Sequence, residues 1–226
     1  RTTETDWDVT FGLLREKRVF GSGRRLLNAL NVDFNGRGEP MKTTVTDAVS
    51  GAIRVTTSTY CEQPDLDADT SPATCAWRKG DLRTVTNAMG HVTETLAYDG
   101  AGRPLSVRDA NGVVTDMEYH PRGWLTDRKV RGADAASESD DAILRIDYWP
   151  TGLVKQVTQP DGAYTSYGYD DAHRLTSIAD NAGNKIEYTL DNAGNRTRED
   201  TKDAQGALKR TFAVLLVRGH ELRGAH

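Results

Sequence analysis

The stretch "DNAGNKIEYTLDNAGNR", Asp180 to Arg196, contains the pentapeptide DNAGN twice, around the six residues KIEYTL. Asp and Asn bond to their own backbone and tolerate left-handed dihedrals, and Gly takes positive φ without steric cost. A type I turn closed by a left-handed Gly is a common short hairpin loop, so DNAGN reads as a reversal of chain direction. The insert alternates. Ile186, Tyr188 and Leu190 fall on one side, Lys185, Glu187 and Thr189 on the other. That period of two predicts a strand with one buried face. Turn, strand, turn is one leg of an antiparallel meander.

The same word recurs when the chain is slid over itself. Gly102–Arg122, Gly152–Ala172 and His173–Ala193 are each 21 residues long, with Gly112, Gly162 and Gly183 ten residues in. A large side chain follows each of these glycines seven residues later, as Tyr119, Tyr169 or Leu190. The copy that starts at Gly80 has 22 residues, and its extra residue lies between Gly90 and Tyr98, as a β-bulge requires. The copy at Gly123 is longer. Its excess falls in the acidic stretch "GADAASESDDA", residues 132–142, which reads as a solvated loop at a hairpin tip before Tyr148. These carboxylates lack the Asp/Asn spacing and the Gly of a calcium loop. One hairpin is not stable alone, whereas stacked copies bury a continuous face.

The expected fold is therefore all-β, built of repeated antiparallel hairpins that form a curved, open sheet. Reversals are expected at Gly90, Gly112, Gly162, Gly183 and Gly194, and structural roles at Tyr98, Tyr119, Tyr148, Tyr169 and Tyr188. Residues 80–210 carry the clear repeats, and residues 1–79 a degenerate version. In residues 211–226 the pattern breaks into "TFAVLLVRGHELRGAH", which reads as an irregular, truncated or frame-shifted tail.

With 226 residues the chain is long enough for one or two domains with a sizeable core. Hydrophobic residues make up 37% and glycines number 21, a balance suited to short strands and many turns. The net charge of -4 argues against a nucleic-acid partner, which usually meets a basic face. The longest apolar run, Phe212–Val217, falls far short of the roughly 20 residues that span a bilayer. The chain opens at Arg1 without a signal peptide, so localisation stays open.

Candidate chemistry is sparse. Cys61 and Cys75 flank an acidic loop and read as a disulfide pair or two thiols; their spacing does not suit zinc. "GSGRR", Gly21 to Arg25, lacks the Lys-Ser of a phosphate loop, and "HELRG" at His220 lacks the second His of a zinc protease motif. Asn195-Arg196-Thr197 fits a glycosylation sequon inside a turn. Trp7, Trp77, Trp124 and Trp149 do not cluster in sequence. No catalytic, metal or cofactor residue is assigned, and no enzyme activity is expected.

"YDGAGRPLSVRDANG", Tyr98 to Gly112, and "YDDAHRLTSIADNAGNKIEYTLDNAGNR", Tyr169 to Arg196, resemble the YD repeats of the Rhs family. The Tyr-Asp pairs, the Gly-Arg-Leu strand starts and the Asp-x-x-Gly turns all match. Leu190 departs from the last Tyr, and His120 follows Tyr119 where Asp is usual. The resemblance implies a segment of a hollow β-shell that in bacterial relatives encloses a toxic C-terminal domain and in teneurin-like proteins is extracellular. It implies as partners the rest of a longer Rhs polypeptide and its enclosed domain. A carbohydrate- or protein-binding surface module is the alternative. Some members cleave themselves at an Asp-Pro-x-Gly type motif; none occurs here, so that activity is carried over to no residue.

Overall fold

Alternating residues between left-handed turns give strands throughout the described residues. The computed structural model describes residues 1–62, 78–134 and 137–213, and these form seventeen strands. They are β1 (Thr2–Trp7), β2 (Leu14–Phe20), β3 (Leu26–Phe34), β4 (Pro40–Asp47), β5 (Ile53–Tyr60) and β6 (Leu82–Thr86). Next come β7 (Val92–Tyr98), β8 (Pro104–Arg108), β9 (Val114–Tyr119), β10 (Leu125–Val130), β11 (Ala142–Tyr148) and β12 (Val154–Thr158). The last are β13 (Tyr164–Tyr169), β14 (Leu175–Asp180), β15 (Lys185–Leu190), β16 (Arg196–Lys202) and β17 (Leu208–Ala213). A short 3-10 turn, Ser22–Arg24, precedes β3.

Two compact units divide the chain, Arg1–Met117 and Glu118–His226, with the boundary inside β9. In the first unit each strand from β1 to β8 pairs antiparallel with the next. In the second the same holds from β10 to β16. Within each unit the first and last strands do not pair with one another among the described residues, so each sheet is open. Regular hairpins reach back through β1–β5, where the sequence carries no clear repeat. At the other end β17 continues past residue 210 to Ala213, and residues 214–226 lie outside the described residues.

One five-residue design recurs, while the turns headed by Asp8 and Asp47 are one residue longer. The Gly183 amide donates to the Asp180 carbonyl (3.1 Å), and the Asp180 amide to the Asn184 carbonyl (3.0 Å). This is a type I turn completed by a left-handed residue. Gly90, Gly112, Gly162, Gly183 and Gly194 all occupy that position, with φ between 81 and 89. His173 takes it with φ 62.

A register shift recurs where strands enter the turns. Tyr148 pairs with Val154 and Asp147 with Gln156, so Lys155 is the extra residue. The same offset occurs at Tyr60, Tyr98, Tyr169 and Leu190. In β7 a second shift leaves Leu96 unpaired between Thr95 and Ala97, as the extra residue of that copy predicts. Bulges of this kind bend the strand and increase its twist.

The expected sizeable core is absent. Among the described residues only Val19, Ala29, Cys61 and Ser106 are buried. The reason is architectural: within each unit the described strands form one layer, and no second layer covers either face. Register still segregates the faces. Tyr167 lies opposite Ile178, and Ile178 opposite Ile186. The other face of the same strands pairs Glu187 with Asp200 and Lys185 with Lys202, and carries the Lys202–Glu187 (2.5 Å) and Lys185–Glu187 (2.7 Å) ion pairs.

Gly183→Val is expected to destabilise the chain by about 1–3 kcal/mol, because a β-branched residue is strained at φ 89. His173→Gly is expected to stabilise by up to about 1 kcal/mol, since it relieves a non-glycine left-handed residue. Urea unfolding midpoints followed by circular dichroism check both; an unchanged midpoint for Gly183→Val contradicts the first.

Candidate functional site

Side chains close the turns that the backbone opens. Asn35, Asn87, Asp99, Asp109, Asp170, Asp180 and Asp203 each accept, on Oδ1, the amides two and four residues ahead. In the repeated word the fifth residue adds a bond, with Asn184 Nδ2 donating to Asp180 (2.8 Å) and Asn195 Nδ2 to Asp191 (3.0 Å). The amide of the glycosylation sequon at Asn195 is therefore engaged within its own turn. Where Arg is fifth, Arg103 pairs with Asp99 (2.5 Å) and Arg174 with Asp170 (2.7 Å).

His120, Trp149 and Gln159 open three turns of this five-residue form without an Asp or Asn at the head. All three have proline second, Pro121, Pro150 and Pro160, and none of the seven acceptor-closed turns does. Proline fixes φ near the value that this position needs, so ring rigidity substitutes for the side-chain acceptor. His120 retains part of that function, because its Nδ1 accepts the Arg122 amide (3.1 Å).

In a meander every second turn lies on the same edge. Trp7, Phe34, Tyr60 and Tyr98 precede such turns in the first unit, and Tyr119, Tyr148, Tyr169 and Leu190 in the second. The tyrosines brace this edge. The Tyr60 phenol donates to the Pro40 carbonyl (3.0 Å), Tyr98 to Leu82 (2.5 Å) and Tyr148 to Leu125 (2.8 Å). Each acceptor is the first residue of the preceding strand. Burial pushes the Tyr148 and Tyr169 phenols upward in pKa. Arg196 lies over the Tyr188 ring at 3.9 Å, and Tyr119 is half-buried. Arginines link alternate turns: Arg37 reaches Glu62 (2.7 Å), Arg122 the Pro150 carbonyl (2.8 Å) and Arg174 the Asp191 carbonyl (3.1 Å).

Two of the proline turns assemble a cluster that the sequence does not announce. His120 stacks on Trp124 with centroids 4.8 Å apart and planes 14° apart, and Trp124 meets Tyr148 at 5.2 Å. Gly152 is required beside it, since a Cβ there would lie 2.5 Å from Trp124 Cζ2. Trp124 and Trp149, remote in sequence, line one open cavity of about 530 Å³ with Asp127, Arg145 and Asp147. The legible signal was the paired replacement of Asp by His120 and Trp149 at the head of HPRGW and WPTGL.

Elsewhere the acidic insertion binds its own backbone. Asp140 accepts the Ala133 (2.7 Å) and Asp134 (3.0 Å) amides, and Asp141 accepts Gly132 (2.7 Å). Residues 135–136 of this loop are outside the described residues. Among the described residues no three His, Cys, Asp or Glu side chains are placed to hold a metal ion. Among the described residues Cys61 is the most fully buried side chain. The candidate bridge from Cys61 to Cys75, like Trp77, lies outside the described residues.

Four turn carboxyls are shifted the same way by their own turns. The Arg174 guanidinium holds Asp170, and the side chains of Asn184 and Asn195 hold Asp180 and Asp191, below the usual carboxylate range. The Arg103 backbone amide, then its guanidinium, does so for Asp99.

The RHS Repeat family model matches residues 77–112, 98–134, 148–185 and 169–208. Among solved structures, a chain in "Crystal Structure of TcdB2-TccC3" matches with a TM-score of 0.50 and 16% identity over 88% of this chain. A chain in "Crystal Structure of TcdB2-TccC3-Cdc42" matches with a TM-score of 0.48 and 15% identity over 93% of this chain. The two matches span 13% and 14% of those longer chains. At 16% identity the first of these is a likeness of fold alone. No curated protein matches the sequence.

A carboxyl with a depressed folded pKa adds stability above its unfolded pKa and loses that contribution as pH falls through the folded value. Unfolding midpoints should therefore drop as pH falls below about 4. Asp180→Asn, which keeps an acceptor as Asn87 does, should flatten part of this dependence in thermal melts across pH. Separately, Tyr98→Phe should destabilise by about 1 kcal/mol through loss of the phenol–carbonyl bond, as read from urea midpoints.

Proposed function

The chain belongs to the RHS-repeat family, and from that premise we propose that it is a wall segment of a larger shell enclosing an effector domain of the same polypeptide. A structural role as an RHS-repeat segment follows from the family. Enclosure is the further step. The observation that carries it is the single-layer meander itself: within each unit hairpins follow one another with no second layer and almost no buried residues. Such a sheet is built to be a surface, with one face apolar and aromatic and the other laced by ion pairs. Its repeats contact only their neighbours, so a wall can be extended copy by copy.

Chemistry of its own is no part of this role. The polar groups that converge do so on backbone amides and carbonyls, where they close turns. The alternative, a carbohydrate- or protein-binding surface, draws on less. The Tyr60, Tyr98 and Tyr148 hydroxyls are committed to carbonyls, and Trp124 is packed between His120 and Tyr148. Trp149, 42% exposed at the cavity, is the feature that speaks for it.

Protease challenge of the complete reading frame that contains this chain tests enclosure. The effector domain is expected to resist digestion when the repeats are intact and to be digested when residues 80–210 are deleted. Equal digestion of the effector with and without these repeats overturns the reading.

A further inference from the structure

Four Asn-Gly or Asp-Gly steps occur in the chain: Asn35–Gly36, Asp99–Gly100, Asn111–Gly112 and Asp161–Gly162. Such steps can cyclise, because a glycine amide meets little steric resistance in attacking the preceding side-chain carbonyl. The structure separates the four. The Gly112 and Gly162 amides are tied up as donors to the Asp109 (3.0 Å) and Gln159 (2.9 Å) carbonyls. The Gly36 and Gly100 amides donate no hydrogen bond among the described residues. At Asp99 the electrophile is a carboxylate held ionised by Arg103, and an ionised carboxylate is a poor acceptor of a nucleophile. Asn35 alone joins an unengaged glycine amide to a neutral side-chain amide.

Its surroundings favour reaction. Asn35 Oδ1 accepts two backbone amides, from Arg37 (2.9 Å) and Glu39 (3.1 Å). These donors sit where negative charge develops when the carbonyl is attacked, the arrangement of an oxyanion hole. Asn35 Nδ2, the leaving group, donates to Glu39 Oε2 at 2.5 Å. The two bonding sets fix the orientation of the amide. Burial pushes the Glu39 carboxyl up, but bonds from Arg37 and Asn35 outweigh it and hold the group below its usual range, so it is ionised at neutral pH. Gly36 is exposed, and a Cβ on it would meet nothing within 4 Å.

We propose that the turn at Asn35–Gly36 is a self-processing deamidation site, with Glu39 as its proton relay. The exposed Gly36 nitrogen bonds to Asn35 Cγ and gives up its proton to water, while Glu39, hydrogen-bonded to Nδ2, hands a proton taken from solvent to that nitrogen. The Cγ–Nδ2 bond breaks, and the relayed proton leaves with Nδ2 as ammonia. The resulting succinimide takes up one water and opens at either carbonyl, to aspartate or to isoaspartate. Aspartate at position 35 suits the turn, as the other Asp-closed turns show, but it replaces a donor to Glu39 with a second carboxylate. Isoaspartate adds a main-chain carbon, so the two backbone bonds that close this turn, Asn35 amide to Glu39 carbonyl and Gly38 amide to Asn35 carbonyl, no longer fit together. Either product disturbs the Arg37 link between Glu39 and Glu62. The β3–β4 turn is thus a timed weak point on the braced edge.

Incubation of the full chain at neutral pH, with peptide mapping that resolves aspartate from isoaspartate, is the test. Asn35 is expected to convert roughly tenfold or more faster than Asn111, the internal control in the same molecule. Glu39→Gln, which keeps an acceptor for Nδ2 but cannot relay a proton, is expected to slow conversion at Asn35 several-fold and leave Asn111 unchanged. Conversion at Asn111 as fast as at Asn35 in the unaltered chain overturns the proposal whatever the variant does. An unchanged Asn35 rate in a folded Glu39→Gln chain overturns the role of Glu39.

Discussion

A side-chain oxygen that accepts two backbone amides across a five-residue turn is the interaction on which this structure depends. The sheet units have almost no buried interior, so strand register cannot be imposed by a packed core. It is imposed at the ends, by turns whose length and hand are fixed. A left-handed fourth residue sets the geometry, and the Asp or Asn oxygen holds it by binding the amides two and four residues ahead. At His120, Trp149 and Gln159, where that oxygen is missing, proline appears next in the chain. Two different means, one enthalpic and one a restriction of the unfolded backbone, reach the same turn.

One edge of each unit carries a second layer of control. Tyr60, Tyr98 and Tyr148 extend their phenols to the first carbonyl of the preceding strand, and for Tyr60 and Tyr98 that carbonyl lies next to a bulged residue. A bulge leaves ladder groups unpaired, and an unpaired carbonyl is costly if it is shielded from water. The phenol supplies a donor to a carbonyl at this position. Arginines then tie alternate turns along the same edge. The stability of such a wall is a sum of near-neighbour terms, so a local lesson applies: damage to one turn is felt mainly by its flanking strands. The His120–Trp124–Tyr148 cluster is a local variant of this bracing, with ring stacking in place of the Asp–Arg pair.

The turn words, the period of two between them and the repeat of 21 residues made the hairpins of residues 80–210 legible from composition and spacing. Those signals are local: a turn needs only five residues, and strand alternation needs only six. Even the extra residue between Gly90 and Tyr98 could be read as a bulge before its position at Leu96 was visible. Residues 1–62 were harder, because Thr-rich strands such as "TVTD" and "TTST" keep the alternation but lack the Tyr-Asp punctuation.

What the sequence could not determine is where the strands stand relative to anything else. A chain of 226 residues ordinarily buries a core, and a period of two implies a covered face. Only the tertiary structure shows that each unit is a single layer, since layer number depends on whether successive hairpins fold back or continue sideways, and no residue encodes that alone. The same holds for Trp124 and Trp149, which meet at one cavity because alternate turns of a meander share an edge. The sequence by itself determined the turns, their punctuation and the strands between them, through short-range backbone chemistry. The tertiary structure decided which edge the tyrosines brace, which carbonyls they reach and which glycine amides stay unengaged, because each of these depends on the register between strands.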